Sequence, residues 1–330
     1  MDTIAHIRAG IADAFNAYEK KFAESIQTEN ETLQEVFRYI HSKRGKQLRP
    51  ILVLYAARLC HSITDKTLST AVALELLHTA SLVHDDVVDD SPTRRGAEAI
   101  QVHWTNKVAI LSGDYILARV IGLIAEVRNT QILSILSEIG RALSSGELLQ
   151  LHANSTMWIS EAQYMRIIEH KTAYLFAACC EAGAVSAGGT QRQVSALREF
   201  GKQLGICFQI KDDVLDYSDS DDLGKPTMND IRDGKVTLPL LTAEQRAPEA
   251  EAQEIRHIAE ALANKDSHIK RTEAEEDIKA FVMRFDGIGY ANKKMQEHRQ
   301  KAIEALSVFR DCDAKQSLLE LLDYAINRVQ

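Results

Sequence analysis

The chain has 330 residues, only five of them proline and sixteen glycine, and its 39 lysines and arginines face 47 aspartates and glutamates for a net charge of −8. Sandwiches and barrels need a turn signal every ~8–12 residues, which a chain with no proline between Pro92 and Pro226 does not supply, while 45% hydrophobic residues exclude disorder. The acidic balance speaks against a nucleic-acid binder, whose footprint is basic; a large, soluble, mostly helical protein is expected.

Apolar positions recur at helical spacing over 3–24 and 29–41. The basic segment KRGKQLRP (43–50) breaks the pattern and reads as a loop or helix entry. Helical patterns follow over 51–60 and 67–89, stop at SPTRRG (91–96), and resume over 105–125, 129–153, 159–188 and 192–218. The polar stretch from Ser218 to Lys235 reads as a long functional loop. Residues 250–327 are patterned as amphipathic helices with a break at Asp286–Gly289. No linker or repeat divides the chain, so one all-α domain over 1–330 is expected. No apolar run approaches the ~18 residues of a membrane span, and the N-terminus lacks a signal peptide's basic start and apolar stretch. Five cysteines without a CxxC predict reduced, buried thiols and a cytoplasmic setting.

The sharpest feature is LVHDDVVDD (82–90). On a helix Asp85 and Asp89 share a face about 5–6 Å apart, where like charges repel. Mg²⁺ would compensate, since it takes carboxylate oxygens and completes its octahedron with water and substrate phosphates. A solvated acidic helix end is the plainer reading, but the acids follow an apolar run and crowd a helix C-terminus, where the macrodipole disfavours anions.

FQIKDDVLD (208–216) repeats the DDxxD spacing. Gln209, Asp212, Asp213 and Asp216 stand at i, i+3, i+4 and i+7, one face of a helix. Two such motifs, each ending a long apolar helix, point to a cage for several Mg²⁺ ions and a diphosphate. Phosphate charge not held by metal needs cations. Four clusters qualify: Lys46 with Arg49, Arg94 with Arg95, Lys171 with Thr172, and Lys225 with Lys235. Each alone would pass for surface solubility; their position beside the breaks that flank the acidic helices is what singles them out. His78, two turns before Asp85, is either a satisfied core residue or a donor to phosphate.

The chain resembles a trans-isoprenyl (polyprenyl) diphosphate synthase of long-chain type. The matching segments are GKQLRP (45–50), HTASLVHDDVVDDSPTRRG (78–96), LSGDYILA (111–118), GELLQ (146–150), KTAYL (171–175), FQIKDDVLD (208–216) and GKPTMNDIRDGKVTLP (224–239). The resemblance implies a single large helical bundle around a central cavity, a homodimer, and a prenyltransferase that adds isopentenyl diphosphate to an allylic diphosphate. It implies Mg²⁺ as cofactor, three ions per active site with substrate bound, held by Asp85, Asp89 and Asp212. The candidate catalytic set is Asp85, Asp86, Asp89, Asp212, Asp213, Asp216 and Lys171. Arg94, Lys171, Thr172, Gln209, Lys225 and Lys235 would contact the allylic diphosphate or its metal shell. Gly45, Lys46, Arg49, His78 and Arg95 would bind isopentenyl diphosphate. Two positions depart from the family: Met228 stands where glycine is frequent, and Gln150 where short-chain farnesyl-type enzymes have aspartate, so no metal role passes to it.

The growing tail should run down the helix that carries Asp85, past Leu77, Ala80 and Ser81. Short-chain relatives tend to place aromatics at 80 and 81; small residues there predict a long product of about C30–C50, although small residues also simply permit close helix packing. The alternatives are a short-chain farnesyl or geranylgeranyl diphosphate synthase, and a non-catalytic helical subunit of a heteromeric synthase. A terpene cyclase would have no second diphosphate for Lys46 and Arg49 to hold.

Overall fold

The computed structural model describes residues 3–94, 96–218, 227–264 and 267–328. Its helices are α1 (Thr3–Ala9), α2 (Ala12–Ser25), α3 (Glu31–Ser42), α4 (Leu48–Cys60), α5 (Asp65–Val88), α6 (Ile100–His103), α7 (Asn106–Val127), α8 (Thr130–Thr156), α9 (Glu161–Ile168), α10 (Tyr174–Ser186), α11 (Gln191–Leu215), α12 (Asn229–Arg232), α13 (Leu238–Arg246), α14 (Glu249–Ala263), α15 (Arg271–Arg284), α16 (Gly287–Ala305) and α17 (Asp313–Asn327). A π-helical turn, Glu169–Ala173, lies between α9 and α10. Among the described residues the sole sheet is a two-residue hairpin, β1 (Thr93–Arg94) antiparallel to β2 (Ala97–Glu98). The fold is all-α, as the composition predicts.

The chain forms two compact units, each assembled from separate stretches of sequence. One comprises Met1–Leu143, Leu175–Gly201 and Ala305–Leu321; the other Ser144–Tyr174, Lys202–Glu304 and Leu322–Gln330.

In the first unit α4 is buried from Pro50 through Ala57 and α10 from Leu175 to Ser186 except at Glu181. They approach at Gly183, where a Cβ would stand 2.4 Å from the Val53 carbonyl oxygen. Helix α5 starts on a capping box between Thr64 and Thr67, which satisfies amides that the first turn cannot pair. It packs most extensively on α7, and Gly113 of α7 makes room for the His84 ring, whose Nε2 lies 2.2 Å from where a Cβ would be.

Two expectations change. The pattern over 3–24 is two helices, because Tyr55 reaches in to donate a 2.5 Å hydrogen bond to the Ile7 carbonyl and Arg58 takes the Gly10 carbonyl. Tertiary partners thus replace the next helical hydrogen bonds. The break at SPTRRG holds the hairpin, with Gly96 at φ +73°. Helix α7 is long and apolar enough to cross a bilayer by length and composition, the one such helix among the described residues; Lys107, Asp114, Arg119 and Glu126 punctuate it, so it contains no unbroken apolar run of that length.

Cys60, Cys179, Cys180 and Cys207 are buried and Cys312 is exposed, all five free. Burial pushes the Cys179 and Cys207 thiols up to about 12 and that of Cys60 to about 11.

Candidate active site

The first acidic motif ends α5. Asp85 is half-buried and Asp89, which caps the helix, is exposed; the Asp89 amide donates to the Asp85 carbonyl at 2.8 Å. Asp86 belongs to a different environment. It is 4% exposed, and Arg94 on β1 donates to its Oδ1 from both Nε (2.7 Å) and Nη2. Gln101 on α6 donates to the Asp86 and Ser91 carbonyls at 2.8 and 2.6 Å, tying the turn after α5 down. The motif therefore divides by helix face. Asp85 and Asp89 are accessible, while Asp86 and Arg94 hold each other.

Beside this turn α3, α5 and the hairpin line a pocket with a cavity volume of about 70 Å³, whose walls include Lys43, Arg44, Glu75, His78, Asp86 and Arg94. His78 is thus buried at the wall of a hollow that charged side chains share with Tyr39, Ile40, Leu82, Val83 and Ile100. Glu75 is buried too, and its Oε2 has no hydrogen-bond partner. Leu77 and Ala80 are buried and Ser81 half-buried, and none of the three is a wall of this pocket. Residues 77, 80 and 84 share the face from which His84 reaches Gly113 of α7.

Gly45 and Lys46 are exposed in the turn before α4, next to Arg8 and Arg44. Arg8 donates to the Lys46 carbonyl at 2.6 Å, and Gln47 takes a left-handed conformation at φ +56°. Arg44 is committed to structure: it bonds Glu19 at 2.7 Å and the Tyr18 hydroxyl at 2.5 Å, and lies 3.9 Å from the Phe22 ring centroid. The Arg49 guanidinium sits over the Phe176 ring at 5.1 Å. Arg95 and Lys225 lie outside the described residues.

The second motif closes α11, in the other unit. Asp212 is half-buried and forms an ion pair with Arg328 at 2.7 Å. Asp213, 2% exposed, accepts from the Tyr164 hydroxyl at 2.5 Å and from Gln209 Nε2 at 2.9 Å. Burial pushes its carboxyl up to about 7 despite those two hydrogen bonds, and the charges of Asp212 and Asp216 push the same way. Asp216 falls one residue beyond the helix that sequence periodicity extended to 218. Its carboxylate accepts from the Asn229 and Asp230 amides at 3.1 Å each, capping α12. Burial raises its pKa, against those amides.

Just before α12, Met228 has φ +61° and no exposed surface. That is the left-handed region, costly for a side chain and free for glycine. Lys235 points back toward Asp233 at 3.5 Å. Gln150 donates to Asn154 Oδ1 at 2.6 Å.

Lys171 and Thr172 sit in the π-helical turn. Such turns carry i→i+5 hydrogen bonds and occur at functional sites; here the Tyr174 amide bonds the Glu169 carbonyl. Thr172 donates to Gln209 Oε1 at 2.8 Å, and Lys171 pairs with Glu147 at 2.7 Å. Helix α8 comes close enough for that pair because residue 146 is glycine. A Cβ there would meet His170 Cβ at 2.9 Å and the Lys171 amide at 3.1 Å.

The family profile of the polyprenyl synthetases matches residues 30–276. The chain belongs to the polyprenyl synthetase family. Octaprenyl diphosphate synthase from Haemophilus influenzae is 37% identical over 291 residues, 88% of this chain and 86% of that one. Among solved structures, a Caulobacter crescentus polyprenyl synthase complexed with calcium and isoprenyl diphosphate superposes with a TM-score of 0.91 at 33% identity, covering 99% of this chain and 98% of that one. A geranylgeranyl pyrophosphate synthase from Bacteroides thetaiotaomicron gives 0.84 at 38% identity, covering 99% and 100%. This polyprenyl synthetase is a prenyltransferase.

The donors available fit a hard divalent cation. Asp85, Asp89 and Asp212 offer carboxylate oxygens that solvent reaches. Among the described residues no three His, Cys, Asp or Glu side chains converge on one point. Mg²⁺ needs no such protein cage, since one or two carboxylates plus water and phosphate complete its shell. Tyr164, Glu147 and Arg328 were not singled out by the sequence reading. Only Glu147 carried a signal, as the residue after the glycine of GELLQ.

Proposed function

We propose that this chain condenses isopentenyl diphosphate with an allylic diphosphate, with Mg²⁺, to give an all-trans polyprenyl diphosphate of about C30–C50. The single observation that carries the reaction is the pair of helix-ending acidic motifs, each exposing its first aspartate while burying its second. Asp85, Asp89 and Asp212 would hold Mg²⁺, which when bound supplies Lewis-acid stabilisation of charge on a departing diphosphate. Lys171 and Lys235 would add positive charge there, and Thr172 and Gln209 would orient the ligand and its shell. Lys46, Arg49 and His78 would hold the diphosphate of isopentenyl diphosphate, fixing its double bond for attack on the allylic carbon. Excluding water matters because an allylic cation is hydrolysed on contact with it.

Long product length is supported by the octaprenyl-forming relative and by alanine and serine at 80 and 81. Geranylgeranyl synthesis is the second reading, favoured by the 38% identity to the Bacteroides enzyme. A homodimer is supported by Leu111 and Ile121, 65% and 69% exposed on α7, a large apolar exposure for a free surface.

Incubation with Mg²⁺, farnesyl diphosphate and labelled isopentenyl diphosphate should yield labelled products of C30–C50 on chromatography. Products confined to C20 would establish the geranylgeranyl reading, and no incorporation would sink both. Ser81→Phe is the better probe of length than Ala80→Phe. Ala80 has no exposed surface, so a ring there would overpack α5 at a cost of ~1–3 kcal/mol, whereas half-buried Ser81 has room. The Ser81→Phe product should be shorter by two or more isoprene units; unchanged lengths would mean that the tail runs elsewhere.

A further inference from the structure

Lys46 and Arg49, two cations assigned to one diphosphate, flank a backbone position that side chains avoid. Gln47 has φ +56° and ψ +41°, the left-handed region, which is costly for any residue with a Cβ. Its side chain does not cap α4; it reaches back to α1 and α2. Nη2 of Arg8 donates to Gln47 Oε1 at 3.2 Å and to the Lys46 carbonyl at 2.6 Å. Gln47 Nε2 donates to Glu19 Oε1 at 2.5 Å. The other Glu19 oxygen accepts from Arg44 at 2.7 Å, so both ends of the turn 44–47 are tied to one carboxylate on α2. A guanidinium only donates, which sets the Gln47 amide with its oxygen toward Arg8 and its nitrogen toward Glu19. Arg8 is itself held, its guanidinium 4.7 Å from the centroid of the Phe15 ring. Arg8 and Gln47 are half-buried, while Lys46 is exposed.

We infer that Arg8 and Gln47 are positioning residues for isopentenyl diphosphate: the clamp from α1 and α2 keeps residue 47 left-handed and so sets Lys46 against Arg49 for one diphosphate. This rests on the reading of Lys46 and Arg49 as the groups that hold that diphosphate. The torsions of residue 47 lie between the two cations. A residue 47 that relaxes to negative φ therefore swings Lys46 out of register with α4 and Arg49. Arg8 and Gln47 act through the backbone of the turn, not by contact with substrate.

The test uses the full chain, steady-state kinetics with each substrate varied in turn, and calorimetric titration with isopentenyl diphosphate. Arg8→Met keeps the stem and removes the donors; Gln47→Leu keeps the bulk and removes both side-chain bonds. Each should raise the KM and Kd for isopentenyl diphosphate about five- to tenfold, with kcat and the allylic KM within about twofold of wild type. The two residues serve one turn, so the double variant should lose less than the product of the two factors. Gln47→Gly takes a positive φ without cost and should stay within about threefold of wild type. A residue that mattered only for stability would rank leucine above glycine. Arg8→Lys, which can still donate to the Lys46 carbonyl, should fall between wild type and Arg8→Met. Should Arg8→Met fold poorly, Gln47→Leu decides the matter. An unchanged KM for isopentenyl diphosphate in Gln47→Leu, beside a raised one in Lys46→Ala, would overturn the clamp and leave the substrate site standing. A glycine variant as poor as the leucine variant would overturn the backbone route. An unchanged KM in Lys46→Ala would instead sink the reading of this turn as a substrate site, and the proposal with it.

Discussion

Replacing Asp85 by alanine is expected to lower kcat/KM for condensation by about 10³-fold, and Asp212→Ala by a comparable factor, a loss of roughly 4 kcal/mol in transition-state stabilisation. The magnitude follows from the chemistry. The leaving group is a diphosphate, and charge accumulating on it has to be met by metal and fixed cations. Each of these carboxylates is reachable by solvent, and neither is buried in the core. Both variants should therefore fold, Asp85→Ala with a melting temperature close to wild type and Asp212→Ala with a lower one because it unpairs the nearly buried Arg328, and the deficit should show in steady-state rates across a Mg²⁺ titration. Asp86→Ala is the contrasting control. Its carboxylate is buried and bonded twice by Arg94, so its removal should act first on stability, lowering the urea midpoint. Near-normal turnover in both Asp85→Ala and Asp212→Ala would dismantle the assignment of the acidic motifs.

The second large effect is expected far from any aspartate. Gly146→Val should reduce kcat/KM with the allylic substrate by about 10²-fold while leaving the helical content intact. A side chain at 146 meets the π-helical turn at His170 Cβ and at the Lys171 backbone. Those atoms can give way only by moving the turn, and with it the Lys171 ammonium and the Thr172 hydroxyl. Misplacing a positioned group by ~1 Å costs about that factor. Gly146→Ala should give a smaller loss in the same parameter. Full activity in the valine variant, by steady-state assay with circular dichroism as the check on folding, would show that the turn does not need this close approach.

The acidic motifs were legible in the sequence because a spacing of four has one meaning on a helix: both residues share a face. Which member of each motif reaches solvent was not legible. Asp85 and Asp86 differ by one step around α5, and only the fold brings Arg94 to the second of them. Asp213 is likewise distinguished from Asp212 by Tyr164, 49 residues away, and nothing in the spacing of either residue announces the other. The joint between α1 and α2 was hidden for the same reason, since Tyr55 and Arg58 make it from a distant helix. Local rules did better. The unusual Met228 was visible as a departure, and its positive φ gives the departure its physical meaning.

The burial of four of the five thiols has a practical consequence. At neutral pH only a thiolate attacks a maleimide, and Cys60, Cys179, Cys180 and Cys207 are both occluded and held protonated by their surroundings. Cys312 stands in the open. A fluorescent maleimide at pH 7 should attach one dye per chain, at position 312 by peptide mass mapping, with no cysteine engineered in or out. The wild-type enzyme thus carries its own reporter position, from which tumbling and self-association can be followed during turnover.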